Sequence, residues 1–157
     1  MLVSKVALVT LLLFASQVAG QRKPDFSGEW SLNKEKTRLQ LQQLNAMEKA
    51  VVTIEHREPL FRLHRTFTID GKDNSVSFEL NADGKEVERE EGTRRLFSRL
   101  YWESESLVFS TRILAAEGEA TNVVRYSLLE NGRVLRAAEL FRGPRFSYEN
   151  LWVFDRK

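Results

Sequence analysis

Few groups in this 157-residue chain suit catalysis or metal binding: two histidines, no cysteine, and carboxylates scattered along its length. A zinc site needs three or four converging ligands. His56 and His64 fall on neighbouring strand-like runs, but the register implied by the Glu58-Pro59 turn sends them to opposite faces. Ser27 lacks the Gly-x-Ser-x-Gly frame of a nucleophile elbow and has no evident histidine partner. Glu139 and Glu149 would suit paired acid–base chemistry, yet an odd–even offset splits them between faces. No glycine-rich loop precedes a helix, so no phosphate cradle is formed. These residues predict a non-enzymatic protein without a metal or cofactor.

A second set of residues suits binding. Ser98, Thr111 and Asn122 fall opposite one another on three adjacent strand-like runs. Glu139 and Tyr148 form a neighbouring pair, Tyr126, Ala137 and Asn150 a third row, and Arg65 lies beside Phe78 on the other half. All share the face that carries the bulky apolar residues. Buried polar groups need partners, and an unpaired buried charge costs on the order of several kcal/mol, so a dry interior would use fewer of them. The small Ala137 leaves room. The sequence therefore predicts a wet or ligand-filled cavity faced by Arg65, Phe78, Ser98, Thr111, Asn122, Tyr126, Glu139, Tyr148 and Asn150.

Those faces follow from the elements that must position them. Turn signals recur at short intervals: Glu58-Pro59, Asp70-Gly71, Asp83-Gly84, Gly92, Glu117-Gly118, Asn131-Gly132 and Gly143-Pro144. Between them run stretches rich in Val, Ile, Phe, Tyr and Thr, the pattern of an antiparallel meander. About ten strands are predicted: 26–32, 51–57, 60–69, 75–80, 85–91, 94–102, 107–114, 120–129, 133–142 and 145–155. Residues 34–49, with Leu39, Leu41, Leu44 and Met47 and a possible cap at Asn33, read as a short helix between the first two strands, placed to act as a lid.

Residues opposite one another in a hairpin share a face. A two-residue Asn131-Gly132 turn sets Leu128 opposite Leu135, Tyr126 opposite Ala137 and Val124 opposite Glu139. A Gly143-Pro144 turn sets Phe141 opposite Phe146 and Glu139 opposite Tyr148. A four-residue loop at 70–73 sets Phe67 opposite Val76. One apolar face then runs through nearly every strand. A sheet of this size escapes a wet face and open edges by curling into an up-and-down barrel of about 8–10 strands.

The other face carries Arg62, Arg95, Arg99, Arg112, Arg125, Arg136, Arg142 and Arg145 among Glu86, Glu88 and Glu90. Two readings are open: a solvated wall of weak cross-strand ion pairs, or a basic flank for an anionic membrane surface. Phe97, Tyr101, Leu129, Leu140 and Leu151 also fall outward and would supply an apolar patch for a protein partner.

Asp25-Phe26-Ser27-Gly28-Glu29-Trp30 opens the first strand. Its Gly-x-Trp resembles the signature of the calycin superfamily, the lipocalins and fatty-acid-binding proteins. The resemblance implies that Trp30 closes one end of the barrel, that Gly28 permits a close approach, and that a basic side chain after the last strand, Arg156, packs across the indole. Together with the Asp83-to-Glu86 turn and the Val153-to-Arg156 ending, the opening also resembles small exported bacterial lipocalin-like proteins. The Arg-x-Tyr pair that holds a carboxylate in fatty-acid-binding proteins is missing from the last strand, so fatty-acid binding does not carry over.

Residues 1–20 read as an export leader: Lys5 is basic, Val6 to Ala15 apolar, and Val18-Ala19-Gly20 small. Residues 21–157 then form one domain in the periplasm or outside the cell, held without disulfides. With 24 basic against 22 acidic residues, the balance argues against a nucleic-acid partner. The expected function is non-enzymatic binding of a small apolar or amphipathic molecule inside the barrel. The alternative is a protein–protein or membrane-surface module with a filled interior.

Overall fold

The computed structural model describes residues 23–40 and 46–157. The predicted leader lies outside them. Ten antiparallel strands form one sheet: β1 (Gly28–Leu32), β2 (Met47–Arg57), β3 (Leu60–Ile69), β4 (Lys72–Asn81), β5 (Val87–Glu91), β6 (Arg94–Glu103), β7 (Ser106–Ala115), β8 (Gly118–Leu129), β9 (Val134–Arg142) and β10 (Ser147–Arg156). Their order is β4-β3-β2-β1-β10-β9-β8-β7-β6-β5. Consecutive strands are neighbours except β4 and β5, and β1 pairs with both β2 and β10, so the first strand joins the two arms.

The sheet curls until the aromatic side chains of its arms meet. Phe61 of β3 lies 5.9 Å from Tyr126 of β8, and Phe78 of β4 stacks at 4.3 Å on Phe109 of β7. The edge strands β4 and β5 do not hydrogen-bond, which leaves a seam between them. At one end this seam is pinned: the Ala82 N–H donates to the Pro59 carbonyl and the Gly84 N–H to the Leu100 carbonyl.

Inward residues alternate along every strand as the pleat requires. Trp30, Val52, Ile54, Phe61, Leu63, Leu100, Leu107, Leu135, Trp152 and Phe154 make a single buried core. The Asn131-Gly132 hairpin has its expected register, with Leu128 opposite Leu135 and Tyr126 opposite Ala137. Two other hairpins differ by two residues. Phe141 pairs with Tyr148 instead of Phe146, which places Asn150 opposite Glu139 and Trp152 opposite Ala137. Phe67 pairs with Asn74 and Arg65 with Val76, because Asp70 and Gly71 close the turn by themselves. Both residues take positive φ, at 51° and 68°, in keeping with a tight two-residue hairpin turn. A shift of two preserves the parity, so the inward face is unchanged.

The expected helix is not seen. Residues 33–40 form a turn and an extended stretch, Met47 to Lys49 already belong to β2, and 41–45 lie outside the described residues. The reason is backbone pairing. β1 leaves β10 after Leu32, opposite Phe154. The edge of β10 left free there is taken by the chain itself: Asn33 N–H donates to the Val153 carbonyl, and Arg38 and Leu151 exchange N–H···O bonds of 2.8 and 2.7 Å.

Candidate functional site

The two ends of the barrel are built differently. At the sealed end, Phe26 and Trp30 have no exposed surface. The Trp30 indole donates to the Phe26 carbonyl at 3.2 Å. Arg156 lies 4.1 Å over the Trp30 ring and donates to the Ser27 and Gly132 carbonyls at 2.6 and 2.9 Å. Gly28 has φ +137°, and a Cβ there would come within 2.5 Å of Arg156 Nη1. Only glycine suits both the backbone conformation and the space.

His56 closes the same end from within. Its Nδ1 accepts the Phe26 N–H at 3.3 Å, so its Nε2 carries the proton and donates to Glu58 at 3.1 Å. The Trp102 indole donates to the same Glu58 oxygen at 2.8 Å. Asp25 is held below the usual carboxylate range, first by the backbone N–H of Ser27, then by the Ser27 hydroxyl, His56 and Arg156. His64 points outward to Ser77 and Thr66. The two histidines therefore do not converge, and among the described residues no three potential metal ligands cluster.

The middle of the barrel holds a cavity of about 140 Å³. Its walls include Phe78, Phe109, Tyr126 and Trp152. The charged side chains lining it, among the described residues, are Arg65 from β3 and Glu139 from β9. Glu139 accepts four hydrogen bonds from neutral donors. Asn122 Nδ2 at 3.3 Å and the Tyr148 hydroxyl at 3.4 Å meet Oε1; Asn150 Nδ2 at 3.2 Å and Trp152 Nε1 at 2.9 Å meet Oε2. Strands β8, β9 and β10 place these groups at neighbouring register positions, which is why the parity of three strands alone brings them together.

Among the described residues Arg65 forms no ion pair within 4.0 Å; its guanidinium lies 5.1 Å over the Trp152 ring and 5.6 Å over Phe67. Its Nε is buried without a partner, as is Oδ1 of Asn122. Burial pushes the Tyr126 phenol up, with Glu139 adding to the effect and Arg65 opposing it. Tyr148 is pushed up to about 12, first by burial and then by the Glu139 charge and hydrogen bond. Both phenols are neutral donors at ordinary pH.

Of the nine residues named from the sequence, Arg65, Phe78, Asn122, Tyr126 and Glu139 line the cavity. Tyr148 and Asn150 stand behind it and hold the carboxylate. Ser98 and Thr111 are outside the lining and hydrogen-bond each other at 3.0 Å. Trp152 was not among the nine, although its inward parity and its place one step from Asn150 were both readable. Asn150 also ties the site to the extended segment after β1, since its Oδ1 accepts the Gln40 N–H at 2.8 Å.

The outer wall is largely neutralised. Arg62 pairs with Glu55 and Glu79, Arg95 with Glu88, Arg112 with Glu86, Arg125 with Glu103 and Arg142 with Glu149. Arg95 and Arg112 also cover Phe97, and Arg99 covers Tyr101. Of the expected outer apolar patch, only Leu129 is exposed.

No protein-family model matches the chain, and no curated protein does. Solved structures do. Human cRBP IV matches with a TM-score of 0.58 at 16% identity, covering 85% of this chain and 99% of that one. A fatty acid-binding protein from Drosophila melanogaster brain matches at 0.53 and 16%, covering 83% and 99%. Zebrafish ileal bile acid-binding protein, solved with cholic acid, matches at 0.53 and 13%, covering 84% and 98%. The fold is the fatty-acid-binding type of β-barrel. At such identities the likeness concerns the fold alone.

Proposed function

We propose that this protein is a non-enzymatic carrier or sensor of a small amphipathic molecule held inside the barrel. The observation that carries the reading is the interior cavity itself, where a guanidinium with no carboxylate partner among the described residues projects among aromatic rings. A filled structural core would have no use for an arginine there, since an unpaired buried charge is costly. A cavity of ~150 Å³ is enough to hold benzene, so the form described here suits a compact ligand. A longer one requires the Phe78–Phe109 stack to part. The neighbours named for fatty acids and bile acids, and the one solved with cholic acid, support a ligand of this general kind.

We further infer from the sequence that the chain is exported, with residues 1–20 as its leader, and that it is related to small exported bacterial lipocalin-like proteins. The test of binding is native mass spectrometry of the purified chain after exposure to hexan-1-ol, retinol, oleate and cholate in turn. A one-to-one adduct with at least one, lost in an Arg65→Leu/Asn122→Leu double variant that still folds, is the expected result. Apo protein alone after every exposure overturns the reading.

A further inference from the structure

We propose that the outer wall carries a second binding site, distinct from the interior cavity, for a small molecule with a flat apolar body and an acidic group such as a carboxylate, sulfonate or phosphate. The site is a groove of about 610 Å³ on the outer face of β8, β9 and β10, bordered by residues 38–40. Register builds it. Arg125 of β8 stands opposite Ala138 of β9, Ala138 opposite Leu151 of β10, and Leu151 opposite Arg38. Arg136, two residues before Ala138 on β9, shares its face. The adjoining row sets Val123 opposite Leu140. Ala138 has the shortest side chain of these, so the floor is lowest there. Arginines surround it: Arg125 across one strand spacing, Arg136 along the strand, and Arg38 beyond Leu151.

The protein does not neutralise this groove as it does the rest of the wall. On β6 to β8, Arg95, Arg112 and Arg125 pair with Glu88, Glu86 and Glu103, and Arg99 lies over Tyr101. On β9, Arg142 pairs with Glu149, which borders the groove. Arg136 has no ion pair, hydrogen bond or ring contact among the described residues. Arg38 donates to the Glu35 and Thr37 carbonyls, which fix its guanidinium and leave its charge without a carboxylate. Glu139 also borders the groove, but its carboxylate turns inward to Tyr148 and Trp152. Two uncompensated guanidiniums thus stand around an apolar floor, in a groove within the range of about 300–1,000 Å³ typical of small-ligand sites. Arginine forks hold planar acidic groups through paired hydrogen bonds and stack on flat apolar bodies. A membrane surface suits the place less well. Val123, Ala138, Leu140 and Leu151 are half-buried between longer side chains, so they do not project into lipid.

The experiment is a ¹H–¹⁵N titration of the full chain at pH 7 with naphthalene-1-sulfonate. The backbone resonances of Arg38, Ala138 and Leu151 should move to saturation, while the Trp152 indole N–H, which reports the interior, stays in place. An Arg38→Gln/Arg136→Gln variant should bind roughly tenfold more weakly or worse, and so should neutral 1-naphthamide on the unaltered chain. Ala138→Phe, which raises the floor and keeps every charge, should abolish binding. None of these side chains belongs to the buried core; Ala138→Phe alone decides should the double variant fail to fold. Movement of Trp152 without the three backbone groups, equal affinity for sulfonate and amide, or no saturable movement overturns the proposal. So does sedimentation of the chain with phosphatidylglycerol vesicles that the double variant loses, since the face would then serve a membrane. None of these outcomes counts against binding inside the barrel.

Discussion

The two ends of this barrel use the same strands for opposite purposes. At the sealed end, Phe26, Trp30, Phe61, Leu100, Leu107 and Leu135 have no exposed surface, and backbone hydrogen bonds from Ala82 and Gly84 pin the seam. Away from that end, Val76 opposite Arg65 and Val87 opposite Ser98 remain 45% and 50% exposed although both follow the inward parity of their strands, and Phe146 is 56% exposed. At the level of Val76 lies the polar layer of Arg65, Asn122 and Glu139. The difference teaches that apolar contact stabilises one half of the molecule, while the other half keeps polar groups and exposed edges that stability alone does not require. Regions with few buried contacts are the ones free to rearrange around a ligand.

The sharpest way to break the comparison is to truncate a large ring at each end. Trp30→Ala should cost about 3–5 kcal/mol, through lost burial, a cavity and loss of the Arg156 stack. Phe146→Ala should cost less than about 1 kcal/mol. Urea unfolding midpoints would show both; similar losses would mean that the ends do not differ. Next in size, Glu139→Ala should cost about 2 kcal/mol, because it leaves Asn122, Tyr148, Asn150 and Trp152 short of an acceptor. Arg156→Lys should cost about 1 kcal/mol, since an ammonium cannot stack flat on the Trp30 ring while reaching both the Ser27 and Gly132 carbonyls.

Two smaller effects depend on pH. Tyr148, whose folded-state pKa is raised to about 12, contributes stability that is fully present below its unfolded pKa near 10 and is lost as pH rises towards 12. Thermal midpoints should fall over that interval, and Tyr148→Phe should reduce the slope. Asp25, lowered by the Ser27 N–H, acts with the opposite sign. Its contribution is present above the ordinary carboxylate pKa of 3.8 and is lost as pH falls below it. Asp25→Asn should flatten the acid side of the stability profile slightly, because the carboxyl is largely exposed.

Much of this architecture was legible because β-structure reports its faces through parity. Two turn lengths were misjudged, at Asp70-Gly71 and at Gly143–Phe146, and each error displaced the register by two residues. Tyr148 and Asn150 exchanged partners but not faces, so Glu139 stayed among inward polar groups. The segment after β1 was not legible in the same way. Its helical pattern is local, whereas the bonds that hold Asn33 and Arg38 extended come from Val153 and Leu151, more than a hundred positions away. The pairing of Ser98 with Thr111 was hidden for a related reason: a row of hydroxyls facing inward looks identical whether its members serve a ligand or each other.

The three tryptophans provide the most direct test, because their indole N–H groups report three separate places. Trp30 donates to Phe26 at the sealed end, Trp102 donates to Glu58 at its rim, and Trp152 donates to Glu139 in the cavity wall. In a two-dimensional ¹H–¹⁵N spectrum of the chain titrated with hexan-1-ol, the Trp152 indole resonance should move to saturation while those of Trp30 and Trp102 stay in place. Movement of Trp30 or Trp102 without Trp152, or no movement of any of the three up to the solubility limit of the alcohol, would contradict the claim that a ligand sits between Arg65 and Glu139.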